Sequence, residues 1–263
     1  MVTTATVIGL GEAGALYARG LRDAGFTVLG YDPFTTIREP GIVQTAALTE
    51  AVTQSDLVIS LVGAVAAERV SQDSLPTMKR SAVYADFNTA APTLKADMGL
   101  NALRLGVAFA DVAVLAPVPR AGIKTPLMAS GPGADRFAEM IRPAGADVQS
   151  IQGAAGDAAA RKLLRSVFMK GLAAVVLESI GAAHAAGQEA WLRGQIETEL
   201  SSDPHDLVNR LIVGSRQHAE RRVHETKDAA DYLTSLNQPR WTTDAAHSWL
   251  SSLRSPQSIQ QHP

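Results

Sequence analysis

Thr6-Val7-Ile8-Gly9-Leu10-Gly11-Glu12-Ala13-Gly14 is an apolar run, a Gly-x-Gly-x-x-Gly triplet and the start of a helix-forming segment that continues to Ala24. Each glycine suits one physical task. Gly9 lets the chain leave a strand through a tight turn, Gly11 leaves room for backbone to approach a pyrophosphate, and Gly14 permits close packing of helix on strand. The N–H groups opening the helix then face the phosphates. Glycines also collect in ordinary turns, so the surrounding pattern has to decide. A second strand, Thr27-Val28-Leu29-Gly30-Tyr31, ends on Asp32 at about the twenty-residue distance expected of the ribose-binding carboxylate. The stretch from Gly9 to Gly14, with Asp32, is therefore the candidate dinucleotide site.

Asp32 favours NAD, because a carboxylate accepts hydrogen bonds from the ribose hydroxyls and repels the 2'-phosphate of NADP. NADP stays open, since Arg38 is near in sequence and could hold a phosphate. The plainer alternative is that Asp32-Pro33 begins a turn.

The 263 residues suffice for one large domain or two, and 46% hydrophobic with 19% charged residues is ordinary for a soluble globular protein. A net charge of -2 offers no electrostatic reason to expect nucleic acid or an anionic membrane as partner. Cysteine is absent, which removes disulfides and thiolate chemistry together. No uncharged apolar run approaches the ~18 residues of a spanning helix. Met1 to Thr6 carry no basic leader, so the cytoplasm is the expected compartment.

Downstream, the segment to Gly41 reads as loop and Leu48 to Gln54 as a short helix. The run Asp56-Leu57-Val58-Ile59-Ser60-Leu61-Val62 has the length and continuous apolarity of a strand buried on both faces of a parallel sheet. Its end, at Leu61 and Val62, should lie beside the cofactor, since ligands in such sheets sit beyond the carboxyl ends of strands. A helix over Ala66 to Asp73 and a strand over Ala82 to Asp86 follow. Asn88 and Thr89 come next, placed either to meet nicotinamide or substrate or to cap the helix that Pro92 suits at its first turn. Strands over Val107 to Val114, Leu127 to Gly131 and Asp147 to Ile151, with a helix over Ala134 to Ile141, complete an alternating α/β pattern. The expected division is a doubly wound Rossmann domain over 1–152 and an all-α domain over 153–263.

The segment from Asp157 to Ala186 lacks proline and predicts one long interdomain helix. Leu164, Val167, Phe168, Gly171, Leu172 and Val175 form an apolar stripe on it, with Lys162, Ser166 and Met169 roughly opposite and Arg165 and Lys170 at the edges. Further helices are expected over Pro204 to Leu236, capped by Asp203, and over Thr243 to Leu253, capped by Thr242 or Thr243, with a frayed tail from Arg254. The histidines His218 and His224 do not share a helical face, so no metal site is expected.

The order of these pieces resembles the β-hydroxyacid dehydrogenase and 6-phosphogluconate dehydrogenase superfamily across nearly the whole chain. The cofactor fingerprint with Asp32 carries part of the resemblance. Asp86-Phe87-Asn88-Thr89-Ala90-Ala91-Pro92 looks like the family's Asp-x-Ser-Thr-x-x-Pro segment, and Asp111-Val112-Ala113-Val114-Leu115-Ala116-Pro117 sits where the family has Asp-Ala-Pro-Val-Ser-Gly-Gly. Gly153-Ala154-Ala155-Gly156 is followed six residues on by Lys162, the spacing of the family's catalytic lysine. Lys162 to Gly171 and His218 to Arg222 look like a little-characterised branch with a shorter helical C-terminal domain. Two departures stand out. The serine and both glycines of the substrate motif are missing, and Ser166 replaces the asparagine expected four residues after the lysine.

The resemblance implies an NAD(P)-dependent oxidoreductase, a small-molecule substrate and a homodimer. Hydride exchange with a carbinol carbon needs a proton acceptor on the oxygen, and a lysine in a partly desolvated cleft suits that work. Lys162 is thus the expected general acid/base, with Ser166 helping to position the substrate oxygen. By periodicity alone a lysine opposite an apolar stripe would instead be a solvated one. Arg120, Arg165 and Lys170 are candidates for gripping an acidic substrate group, and Lys227-Asp228 is similar to a pair that some members place near the cofactor. The expected reaction is reversible oxidation of a hydroxy acid or related alcohol. The alternatives are imine reduction on the same fold and a non-catalytic nucleotide sensor.

Overall fold

The computed structural model describes residues 3–254. Strands β1 (Thr4–Ile8), β2 (Thr27–Tyr31), β3 (Ile42–Gln44), β4 (Leu57–Ser60), β5 (Val83–Asp86), β6 (Ala108–Val114), β7 (Leu127–Ser130) and β8 (Val148–Ser150) form one sheet. Their spatial order is β3-β2-β1-β4-β5-β6-β7-β8. The order reverses between β1 and β4, which creates the crevice where such sheets bind ligands. Helices α1 (Glu12–Asp23), α2 (Leu48–Gln54), α3 (Ala64–Ser74), α4 (Pro92–Leu105) and α5 (Ala134–Ile141) cover the two faces. Neighbouring apolar residues on a strand feed opposite faces: Val7 and Ile59 pack with Tyr17, Leu21 and Phe137, while Ile8 and Val58 pack with Tyr84 and Phe109.

Every pair in the sheet is parallel except β6 with β7. The connection between those two, residues 115–126, contains only short 3₁₀ turns, and without a crossover helix the chain returns antiparallel. Strand β3 lies just past a segment read from sequence as loop; at three residues it is too short to show a period of two. Gln44 at its end steadies that loop, donating to the Asp32 and Thr35 carbonyls and accepting from the Ile37 N–H.

The remaining helices are α6 (Asp157–Ala185), α7 (Glu189–Ser201), α8 (Pro204–Gln217), α9 (Ala219–Ser235) and α10 (Trp241–Ser252). The chain forms two compact units that meet in sequence inside α6, one ending at Arg165 and the other beginning at Ser166. An α/β region followed by a helical one, with a long helix between them in sequence, is the expected fold class. Several details differ from expectation. Helix α7 has no counterpart in the sequence reading, because none of its side chains is buried and no apolar period marks it. The single helix expected from Pro204 is broken at His218, where neither proline nor glycine announces the break.

Asp203 caps α8 as expected, accepting the N–H groups of His205 and Asp206. Thr242 and Thr243 do not cap α10, which starts at Trp241 after an uncapped Arg240. Their N–H groups instead donate to the Glu178 carboxylate at 2.8 and 2.9 Å, so the acceptor comes from α6. Lys227 forms a surface ion pair with Asp231 at 2.8 Å, one turn further along α9. The expected frayed tail, apart from Arg254, lies outside the described residues.

The apolar stripe of α6 faces outward: Leu164 is 72%, Val167 74% and Phe168 63% exposed. Among the described residues α6 is the one helix long and apolar enough, by length and composition, to cross a membrane. It also carries Lys162, Arg165, Lys170 and Glu178, each costly in hydrocarbon.

Candidate functional site

The glycine turn sits where β1 meets the crevice. Gly9 has φ +87°, and a Cβ there would lie 2.4 Å from the Leu61 carbonyl oxygen, so the turn and the end of β4 touch backbone to backbone. A Cβ on Gly14 would lie only 1.8 Å from the Gly9 carbonyl oxygen. Gly11 is different: a side chain there would meet nothing within 4 Å, which leaves its backbone approachable. It is the N-cap of α1 and supplies no side-chain cap, the arrangement in which first-turn N–H groups serve an anion.

A cavity of about 380 Å³ opens beside this turn, lined among others by Gly9, Gly11, Asp32, Leu61 and Val62. That volume lies within the range of small-molecule and cofactor clefts. Phe34, 96% exposed, stands at its lip. Within the fingerprint, Glu12 is exposed and Ala13 half-buried, while Leu10 is buried against Gly30. The Leu10 N–H is taken by Asp32 Oδ2 at 2.7 Å. Asp32 Oδ1 accepts from the N–H groups of Phe34 and Thr35 at 2.8 and 3.0 Å. The turn reading of Asp32 therefore holds, and the same residue also lines the cleft, where a carboxylate oxygen keeps lone pairs beyond those the turn uses.

A second feature lies further along the same sheet edge. Ser60, Asp86, Asp111 and Ser130 occupy matching register positions on β4 to β7 and are all fully buried. Buried polar groups persist when they are paired, and this row is. Asn88, 5% exposed, donates its amide to Ser60 Oγ and Asp86 Oδ1 and accepts the Gly63 N–H at 2.7 Å. It ties the end of β5 to the turn after β4. Neither Asn88 nor Thr89 caps α4: the N-cap is Ala91, without a side-chain bond, and Pro92 holds the first helical position.

Asp111 reaches the start of α6. Its Oδ2 accepts the N–H groups of Gly156 at 3.1 Å and Ala159 at 3.0 Å, and Ser130 Oγ accepts that of Ala158 at 2.9 Å. Side chains from two strands thereby satisfy N–H groups that a helix start leaves unpaired. Gly156 is pressed so close to α4 that a Cβ would stand 2.5 Å from the Pro92 carbonyl oxygen. Lys162 follows, a turn and a half along. Its Nζ donates to Thr89 Oγ1 at 3.0 Å. The two line a crevice with Asn88, Asp111, Ala159 and Leu163 whose volume, about 10 Å³, holds roughly one water.

Lys162 is half-buried, and its amine is held below the usual lysine range, first by burial and then by the charge of Lys95, with Asp111 opposing. Periodicity predicted a solvated lysine opposite a buried stripe; here the stripe is exposed and the lysine side is partly covered. Ser166 lies one helical turn beyond Lys162 and is half-buried. Arg165 and Arg120 are exposed and neither lines the crevice; Lys170 is exposed as well. The residue missed from sequence is Lys95. It is fully buried on α4, in line with Met98, Gly99 and Ala102, and pairs with Asp86 at 2.6 Å and Asp111 at 3.1 Å. A lysine interrupting an apolar row at helical spacing was the available signal.

A parallel-rich doubly wound sheet with a glycine turn and an acidic residue closing the second strand defines a dinucleotide-binding protein. Comparison makes this specific: residues 4–151 match the NAD binding domain of 6-phosphogluconate dehydrogenase, and the chain belongs to that family. Residues 183–253 match a domain of unknown function, DUF1932. An uncharacterized 28.5 kDa protein of Methanothermus fervidus is 28% identical over 186 residues, 71% of each chain. Among solved structures, a conserved protein of unknown function with structural similarity to 3-hydroxyacid dehydrogenases is 27% identical, with a TM-score of 0.61 over 95% of this chain and 98% of its own. A variant of the imine reductase from Myxococcus stipitatus in complex with NAD+ is 17% identical, with a TM-score of 0.81 over 96% of this chain and 94% of its own. The same reductase in complex with NADP+ gives 17% and 0.80 over 95% and 93%. These last two establish shared fold alone.

Proposed function

We propose that this protein is an NAD-dependent oxidoreductase that reversibly oxidises a hydroxy acid or related alcohol, with Lys162 as general acid/base. The carrying observation is the half-buried Lys162 amine, hydrogen-bonded to Thr89 at the carboxyl edge of the same sheet that presents the glycine turn. The cofactor, when bound, accepts or returns the hydride. The chain's own work is to move the accompanying proton. Neutral Lys162 takes the hydroxyl proton as hydride leaves the carbinol carbon, and the ammonium gives it back in reduction. Ser166 is assigned to orient the substrate oxygen, and Arg120, Arg165 and Lys170 stay candidates for an acidic substrate group. Lys162→Ala should depress turnover while NAD binding, followed by protein fluorescence, is retained; near-normal turnover would remove the role.

NAD is preferred to NADP in this proposal because Asp32 lines the cleft with a carboxylate. We assign residues 1–152 to cofactor binding and 153–263 to the substrate and to dimerisation, in the cytoplasm. The exposed stripe of α6 supports a homodimer, since neighbouring exposed apolar side chains offer a surface for a second copy to cover. Light scattering should return about twice the 27.7 kDa chain mass.

Imine reduction is the second reading, favoured by the crevice wall itself. Val112, Ala113 and Leu163 line it, and the serine and glycines that would hold a carboxylate are replaced by apolar residues. Assaying hydroxy acids and cyclic imines with both cofactors separates the two reactions. Cofactor binding without turnover of either class would favour a sensor.

A further inference from the structure

Lys95 is a buried charge beside the row, paired with its two aspartates, and the proposed reaction uses none of the three. Its side chain is 1% exposed, and those of Asp86 and Asp111 are no more so. The ammonium has three partners: Asp86 Oδ2 at 2.6 Å, the Asp86 carbonyl at 2.9 Å and Asp111 Oδ1 at 3.1 Å. A methionine of similar size would fill the same space without desolvating a charge. Two carboxylates and one ammonium leave this buried cluster with a formal charge of -1. The positive end of α6, fastened to Asp111, and the Lys162 amine beyond it are placed to offset that charge.

We propose that Lys95 is a positioning residue for Lys162: pinned between Asp86 and Asp111, it fixes a positive charge behind the crevice. Through Asp111 it also sets how the helix bearing the amine is mounted. The charged groups facing Lys162 are Lys95 from α4 and Asp111 from β6, with Asp86 of β5 behind Lys95. They act in opposite senses. Lys95 drives the proton off the Lys162 amine, Asp111 retains it, and burial adds to the effect of Lys95. A purely architectural triad would hold the helix start without this signed influence. The proposal rests on Lys162 as the working base, and its consequences are measurable on the amine itself.

The test is the pH profile of acetylation of Lys162 in the full chain by an N-hydroxysuccinimide acetate, read by peptide mass spectrometry. In the double variant Asp86→Asn, Lys95→Met, which removes one charge of each sign, the midpoint should move to higher pH. Labelling below the midpoint should then slow about three- to tenfold. Asp111→Asn should move it the opposite way by a similar factor, its amide oxygen still able to accept from α6. Circular dichroism establishes that each variant is folded. Midpoints unmoved in folded variants, or moved in the same direction, would overturn the proposal. If the double variant fails to fold, Lys95→Gln, which keeps a donor toward Asp86 and Asp111 without the charge, is read in the same way, and an unmoved midpoint there overturns the proposal. No substrate is needed, so the outcomes separate: turnover surviving in Lys162→Ala ends the catalytic role, and fixed midpoints end the role of Lys95.

Discussion

The glycine turn and the lysine crevice lie on one sheet edge but are built from different materials. The turn is backbone: its shape follows from what Gly9, Gly11 and Gly14 lack, within six consecutive residues. The crevice is side chain, assembled from Thr89, Asp111 and Lys162 with Lys95 behind, residues spread over the loop after β5, α4, β6 and α6. A site made of local backbone tolerates change nearly anywhere else in the chain. One made of a buried polar row depends on every strand staying in register.

The contrast can be broken or sharpened by substitution. The largest effect is expected at the crevice: Lys162→Ala should cost about 10²–10⁴ in turnover with little change in NAD affinity. Because the base must be neutral, oxidation by the unaltered protein should fall as pH drops through the Lys162 titration, which burial and Lys95 set below the usual lysine range. A pH-rate profile checks this, and reduction should show the opposite trend. Next comes the buried row, where Asp111→Leu strips Lys95 of a partner and α6 of its mount. Urea titration should show a loss of about 3–5 kcal/mol.

At the turn, Asp32→Ala removes an acceptor from three backbone N–H groups and from the proposed ribose site. NAD should bind roughly 10–100-fold more weakly by calorimetry, with NADP affected less. Smallest is Glu178→Ala in the helical region, which uncaps α10 at a cost of about 0.5–2 kcal/mol. Hydrogen bonds from Thr242 and Thr243 outweigh burial and hold the Glu178 carboxyl below its ordinary range. The stability it contributes is thus complete above the unfolded-state pKa and lost as pH falls through the folded one. The acid-side melting curve of the variant should accordingly be flatter than that of the parent.

The two regions also differ in how far they could be read in advance. The turn, Asp32, Leu61 and Val62 meet at one cavity as their spacing implies. Lys162 stands on Thr89, a pairing no reading of the sequence offered: resemblance marked the lysine as catalytic and periodicity alone made it a solvated one. Asn88 looked like a cap or a ligand contact; in the fold its amide joins the β4 and β5 ends, which no local pattern announces. Lys95 was passed over because burial of a lysine becomes intelligible only once two aspartates from other strands are beside it. Helix α7, the break at His218 and the Glu178 cap were missed for a related reason, their determinants being weak locally or supplied from far along the chain.

From the order of residues alone came the helices and, apart from β3, the strands of the α/β region, the nucleotide turn and the length of α6, because apolar runs, glycines and turn residues act over a few neighbours. Tertiary structure alone decided which aspartates are neutralised, which polar side chains are already committed and which face of α6 is covered. Those depend on the charge and solvent around a side chain, quantities contributed by residues tens of positions away and absent from any local window.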